Sequence, residues 1–196
     1  MRTRDEEKER AIKEKAITML VKDGFEGLSM QKLAKAAGVS PATIYIYFKD
    51  REDLIKQISA EEGKKFVDAM LKDFDPEATF AKGLLRQWKN RAEYCLKNPV
   101  QTHFLEQIRY SPFHDRLYKI DNSFLIAMHT FVENAIKRKE LIKLPFEIFW
   151  SIAYAPLYQL IKFHRAPRTM PGRENFELDE KAMKKALDLV LKALKP

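Results

Sequence analysis

Apolar residues recur at intervals of three and four along almost the whole of this chain, with charged positions between them, and two-residue alternation is scarce. The pattern predicts helix after helix. A first helix, about Asp5 to Lys22, carries Ile12, Ala16, Met19 and Leu20 on one stripe; Gly24 then breaks it and Phe25 returns to the core. Met30, Leu33, Ala34 and Ala37 mark a second helix, and Ile44 with Phe48, four apart, mark the inward side of a third. A fourth starts at Asp50, whose side chain suits an N-cap, and runs to about Asp73 through Leu54, Ile58, Phe66, Val67 and Met70. Further helices are expected near 76–97, 99–110, 113–139, 145–165 and 179–195. Breaks fall at Asn98–Pro99, Ser111–Pro112 and Leu144–Pro145, and a loop from His164 to Leu178, with Pro167, Pro171 and Gly172, is expected to be disordered. The reading is an all-α fold of about nine helices. It divides into an N-terminal three-helix domain over 1–50 and a larger helical domain over 51–196.

The join between the second and third helices is the most specific local signal. In LSMQKLAKAAGVSPATIYIYFKDR, Leu28 to Arg51, Ser29 suits an N-cap and Gly38 a left-handed residue just past a helix end. Ser40 caps the next helix and Pro41 takes its first position, where a missing N–H costs nothing. Two helices joined by a short Gly-containing turn form a helix-turn-helix. With Ile44 and Phe48 inward, Ala42, Thr43 and Ile46 point away from the core, flanked by Tyr45 and Tyr47. An outward Ile among Ala, Thr and Tyr suits a DNA groove, where apolar groups touch thymine methyls and Thr reaches base edges or phosphates. Lys32, Lys35 and Lys49 occur between Leu28 and Lys49 without one carboxylate, the local bias that phosphate neutralisation needs.

These residues resemble the DNA-binding domain of the TetR (tetracycline-repressor-like) family of transcription regulators. The match is carried by Ala11–Val21, Gly24, Phe25, Ser29, Leu33, Ala34, Ala37–Ser40, Thr43–Tyr45 and Tyr47–Lys49, continuing through Asp50–Leu54. It covers about fifty residues; the rest matches in helix content and length alone. The resemblance implies DNA contacts from Gln31, Ser40, Pro41, Ala42, Thr43, Tyr45, Ile46 and Tyr47, and Ser29 and Lys32 beside Gln31 are further candidates. It places Lys49 and Arg51 at phosphate-binding positions. Many family members carry an aromatic where this chain has Ile46.

Charge changes this picture less than the net value of +8 suggests. Residues 1–55 hold eleven Lys/Arg against ten Asp/Glu, about +1, so most of the excess lies beyond the helix-turn-helix, where it serves solubility as readily as a partner. One cysteine, Cys95, precludes an intrachain disulfide and fits a reducing, cytoplasmic setting; among apolar neighbours it reads as a buried, inert thiol rather than a redox sensor. No apolar run reaches the length of a membrane span, and the charged N-terminus lacks the apolar stretch of a signal peptide.

Eighteen of the 22 aromatic residues follow Arg51. Trp88, Tyr94, His103, Phe104, Gln107, Tyr110, Phe131, Trp150, Tyr154 and Tyr158 are candidates to line an apolar or aromatic effector pocket, though aromatics at helical spacing also build cores. Pro156 should kink its helix. The 145–165 and 179–195 segments are apolar on more than one side, which suggests a second covering surface. Phe149, Ala153, Leu157, Leu160, Met183, Leu187, Val190 and Leu191 are therefore candidates for a homodimer interface, as the resemblance also implies. A two-fold dimer would place paired recognition helices on half-sites about 34–36 Å apart. His103, His114, His129 and His164 have no metal-ligand spacing, and no Gly-rich phosphate loop or nucleophile elbow is present. No catalytic residue, metal or cofactor is expected. The leading expectation is a DNA-binding, effector-responsive repressor dimer acting on a palindromic operator. The other readings are an effector-independent DNA binder or activator, and a helical protein-interaction or small-molecule carrier module.

Overall fold

Asp5 opens the first helix as its N-cap, its carboxylate accepting from the N–H groups of Glu7 and Lys8 at 3.1 and 3.2 Å. The computed structural model describes residues 5–113, 122–166 and 175–196. Among these the elements are α1 (Glu6–Gly27), α2 (Met30–Ala37), α3 (Pro41–Tyr47), α4 (Arg51–Leu71) and α5 (Phe80–Lys97). They continue with α6 (Pro99–Arg109), α7 (Ser123–Lys137), α8 (Phe146–Ala153), α9 (Ala155–Arg165) and α10 (Glu180–Leu194). Every regular element described is helical. The ten segments become nine when α8 and α9, separated by Tyr154 alone, are taken as one helix broken ahead of Pro156.

The helix expected from residue 113 is described from Ser123; residues 114–121, including His114, lie outside the described part. Residues 167–174 of the expected loop also lie outside it, but its flanks are joined, the Leu178 amide donating to His164 Nδ1 at 3.1 Å.

Packing divides the chain into two compact units, one of Met1–Phe66 with Asn98–Asp121, the other of Val67–Lys97 with Asn122–Pro196. The first therefore extends beyond residue 50 and takes in α6. Its core holds Ile12, Ala16 and Leu20 from α1, Leu33 from α2, Ile44 and Phe48, and Leu54 and Ile55 from α4. Phe104 and Ile108 of α6 are fully buried in the same cluster. The first three helices form a bundle too small to bury much surface alone, and α4 and α6 complete its core. Gln107 Nε2 donates to the Val21 carbonyl at 3.4 Å, and Phe25 stacks on Phe113 with ring centroids 5.7 Å apart.

The second unit is organised around α5. Leu84, Trp88, Arg91 and Cys95 lie on its inward stripe, all fully buried. Trp88 Nε1 donates to the Ala153 carbonyl at 2.8 Å, tying α5 to the α8–α9 break. The Gln87 and Asn90 side-chain amides donate to Met70 O at 2.9 and 3.0 Å, and Asn90 also to Lys72 O at 2.8 Å, satisfying carbonyls at the end of α4. Glu140 satisfies a donor at the start of α5, its Oε2 accepting from the Phe80 amide at 2.7 Å. Phe131 of α7 stacks on Phe80 at 5.6 Å and packs over Gly83, where a Cβ would lie 2.2 Å from its ring. No described helix is long and apolar enough to cross a membrane.

Candidate nucleic-acid interface

The turn after α2 is built by hydrogen bonds that require Gly38. That residue sits at φ 66°, ψ 29°, in the left-handed region an L side chain avoids. The Gly38 amide donates to Lys35 O at 3.3 Å and the Val39 amide to Ala34 O at 3.0 Å, the paired bonds of a Schellman end. The chain then enters α3 through Ser40, whose Oγ accepts from the Thr43 amide at 3.1 Å and lies 2.9 Å from Thr43 Oγ1. Ser29 serves α2 likewise, accepting from the Lys32 amide at 3.2 Å.

This entry fixes which residues of α3 face out. Ile44 and Phe48 are fully buried, while Pro41 and Ala42 are exposed and Thr43 is half-buried. Tyr45 and Ile46 keep 55 and 44 % of their surface exposed, large apolar groups in water on an otherwise well-packed unit. Gln31, Lys32 and Lys35 of α2 are exposed, and Lys49 lies just past α3. The Lys49 backbone is held in place, its N–H donating to Asp53 Oδ2 at 2.9 Å, with Gln57 Nε2 on the same oxygen at 2.9 Å. The Lys49 N–H and then Gln57 hold the Asp53 carboxyl below its ordinary value.

Two expected contact residues are placed differently. Tyr47 does not flank the exposed side; it is 7 % exposed, and its hydroxyl accepts from the Asp5 amide at 3.0 Å. The reason is spacing: Tyr47 stands three residues after Ile44 and beside Phe48, on the inward side of a seven-residue helix. Arg51 is half-buried, and its Nη2 donates to the Phe25 carbonyl, just after the break in α1 at Gly24 (φ 70°, ψ −178°). Its guanidinium joins α4 to the end of α1.

The expected effector residues divide between the two units. His103, Phe104, Gln107 and Tyr110 belong to the first unit, where Phe104 is core, His103 is exposed and Tyr110 is 88 % exposed. Trp88, Tyr94, Phe131, Trp150, Tyr154 and Tyr158 belong to the second. Of these, Trp150 and Tyr154 pack ring to ring at 4.5 Å around Arg91, a residue absent from the sequence-based set. The available signal was an arginine on the apolar stripe Leu84, Trp88, Ala92, Cys95. Among the expected interface residues, Phe149, Ala153, Leu157, Leu187 and Val190 are buried within this single chain; Leu160, Met183 and Leu191 are half-buried. The large apolar side chains that α8, α9 and α10 leave exposed are Phe146, Ile148, Phe163 and Leu189. No cluster of three His, Cys, Asp or Glu residues able to hold a metal occurs among the described residues.

Residues 12–58 match the sequence profile of the bacterial regulatory proteins of the tetR family. An uncharacterized HTH-type transcriptional regulator of Haemophilus influenzae is 34% identical over 105 residues, 53% of this chain and 56% of that protein. The fatty acid metabolism regulator protein of Bacillus subtilis is 34% identical over 64 residues, 33% of each chain. The matched segments thus span about half and one third of these curated relatives. A solved TetR family transcription regulator from Marinobacter aquaeolei is 29% identical, with a TM-score of 0.77 over 100% of this chain and 99% of its own.

Proposed function

We propose that this chain, whose residues 12–58 match the tetR family profile, is a TetR-family transcription regulator that binds double-stranded operator DNA as a homodimer and controls transcription in response to a small molecule. One observation carries the reading: a Gly38-capped turn that presents the exposed side of α3, with Ala42, Tyr45 and Ile46 solvent-facing and no carboxylate between Leu28 and Lys49. Pro41, Ala42, Thr43, Tyr45 and Ile46 enter the major groove and read base edges and thymine methyls. Gln31, Lys32 and Lys49 lie against phosphates, with Ser29 and Ser40 presenting the two helix N-termini. Tyr47 and Arg51 act indirectly, by holding α3 and the start of α4 against α1.

The functional division lies near residue 50, with DNA contact before it and effector and dimer functions after it. The chain works in the cytoplasm, where its DNA is. A second copy covers the exposed Phe146, Ile148, Phe163 and Leu189, with half-buried Leu160, Met183 and Leu191 contributing. An effector in the second unit represses or releases binding only if it prefers one conformation, since equal affinity for both shifts nothing.

The test is a gel shift of the full chain on DNA upstream of its own gene, with sedimentation at micromolar concentration. A saturable shift that depends on an inverted repeat supports the regulator. Salt-labile smearing on every sequence refutes it and leaves a helical interaction or carrier module. A strict monomer refutes the dimer.

A further inference from the structure

Arg91 is fully buried, yet its charge has no counter-ion among the described residues. Nη1 donates to the Gln87 carbonyl oxygen at 3.2 Å and to Gln87 Oε1. Nε and Nη2 have no acceptor there. These two nitrogens share one edge of the guanidinium, the edge whose parallel N–H bonds match the two oxygens of a carboxylate. Around it stand the rings of Tyr154, with the guanidinium carbon 4.3 Å from its centroid, and of Trp150 and Phe124, each at 5.7 Å. Trp150 and Phe124 are only partly buried, so the ring cage meets solvent on that side.

Aromatic faces attract a cation but cannot accept two in-plane N–H bonds. A buried charge without partner is among the costliest arrangements a fold can hold, and it persists where something else offsets it. Gln87 reinforces the geometry: by engaging Nη1 from its carbonyl and side-chain oxygens, it holds the guanidinium with the other edge buried and unbonded.

We propose that Arg91 receives the carboxylate of a small organic acid, whose apolar or aromatic body lies against Tyr154, Trp150 and Phe124, and that this acid is the effector. Its role as effector rests on the regulator reading above. The site itself does not, because binding is measured without DNA.

Calorimetry on the full chain with benzoate, 4-phenylbutyrate and octanoate, each beside its neutral primary amide, tests the site. At least one acid should bind, at least about tenfold more tightly than its amide, the scale of one charge-assisted hydrogen bond. Arg91→Gln should weaken that acid by about 10–100-fold and leave the amide unchanged, while Arg91→Lys, which keeps the charge without the fork, falls between. If Arg91→Gln fails to fold, the acid-to-amide ratio of the native chain still decides. Three silent acids, equal affinity for acid and amide, or an undiminished preference in Arg91→Gln would overturn the assignment. Fluorescence anisotropy on operator DNA, run in parallel, separates the two ideas. An acid that binds tightly and leaves DNA affinity unmoved removes the effector role alone; absent DNA binding removes the regulator reading and leaves the acid site standing.

Discussion

Gly24 and Gly38 both have positive φ, and a Cβ built at either meets nothing within 4 Å, so substitution there tests backbone conformation with no packing contribution. The two differ in ψ. Gly38, at φ 66° and ψ 29°, lies in the left-handed well. An L-residue there costs about 1–2 kcal/mol, offset by about 0.4–1 kcal/mol from a narrower unfolded ensemble, leaving about 1 kcal/mol for Gly38→Ala. Asparagine tolerates this well, so Gly38→Asn should recover most of that loss. Gly24, at φ 70° and ψ −178°, lies where glycine alone is at ease, at a cost of about 1–3 kcal/mol for other residues. Gly24→Ala should cost about 2 kcal/mol, and Gly24→Asn should do no better. Urea unfolding followed by circular dichroism reads the four variants as midpoint shifts at constant slope. Equal rescue by Asn at both positions, or a Gly38→Ala midpoint matching the native one, would refute the reasoning. The variants also bear on function, because Gly38 sets the direction in which α3 leaves the turn.

Other outcomes follow from individual side chains. Lys49→Ala should flatten the plot of log affinity against log salt by about 0.9 for each phosphate that is no longer neutralised, about 1.8 for a dimer, with little change in sequence preference; an unchanged slope removes Lys49 from the phosphate-binding set. Arg51→Ala should instead lower stability, by about 1.5–3 kcal/mol for a charge-assisted bond to the Phe25 carbonyl, with a smaller effect on the salt slope. A slope change as large as that of Lys49→Ala would show that Arg51 is a phosphate ligand after all. Tyr47→Phe should cost about 1 kcal/mol in chemical unfolding by removing the acceptor of the Asp5 amide; a neutral effect would dismiss that hydrogen bond. Burial raises the Tyr154 phenol from 10.0 to about 12. A raised folded-state value contributes stability in full below pH 10 and loses it as pH climbs to about 12, at up to about 1.4 kcal/mol per pH unit. Melting curves between pH 9 and 12 should show that decline in the native chain and a shallower one in Tyr154→Phe; parallel declines would mean Tyr154 is not the group responsible.

The helices were legible because periodicity and caps act locally. Asp5, Ser29, Ser40 and Asp50 each place a side-chain oxygen on an amide two or three residues ahead, a geometry the residue type nearly dictates. The outward turn of Ala42 and Ile46 was equally readable, since it follows from Ile44 and Phe48 facing in. Tyr47 exposes the limit of that reasoning. Its spacing from Ile44 allowed an inward position, but its partner, the Asp5 amide, is 42 residues away and leaves no local pattern. Arg51 and Phe25, 26 residues apart, repeat the case. The aromatic residues after Arg51 could not be sorted by period alone, because core and pocket aromatics share the same stripes. Phe104 and Trp150 look alike in sequence, yet one completes the first unit's core and the other lies beside a buried cation. The doubly apolar 145–165 segment was covered mostly from within its own chain, by α5 and α10, so its pattern overstated the surface left for a second copy.

The discontinuity of the first unit has a consequence for how the protein is made. Its core needs Phe104 and Ile108, so a growing chain that has released α1 to α4 from the ribosome still lacks a wall. At about 5–20 residues per second, seconds pass before α6 emerges, during which the side of α1 that α6 covers stays open. Folding of the DNA-facing unit therefore awaits synthesis of all of α5, even though α5 belongs to the other unit. A nascent chain stalled far enough past residue 71 to free α4 but not α6 should be protease-sensitive, and one stalled far enough past residue 109 to free α6 should be protected. The helix-turn-helix is thus completed late, although it is encoded early.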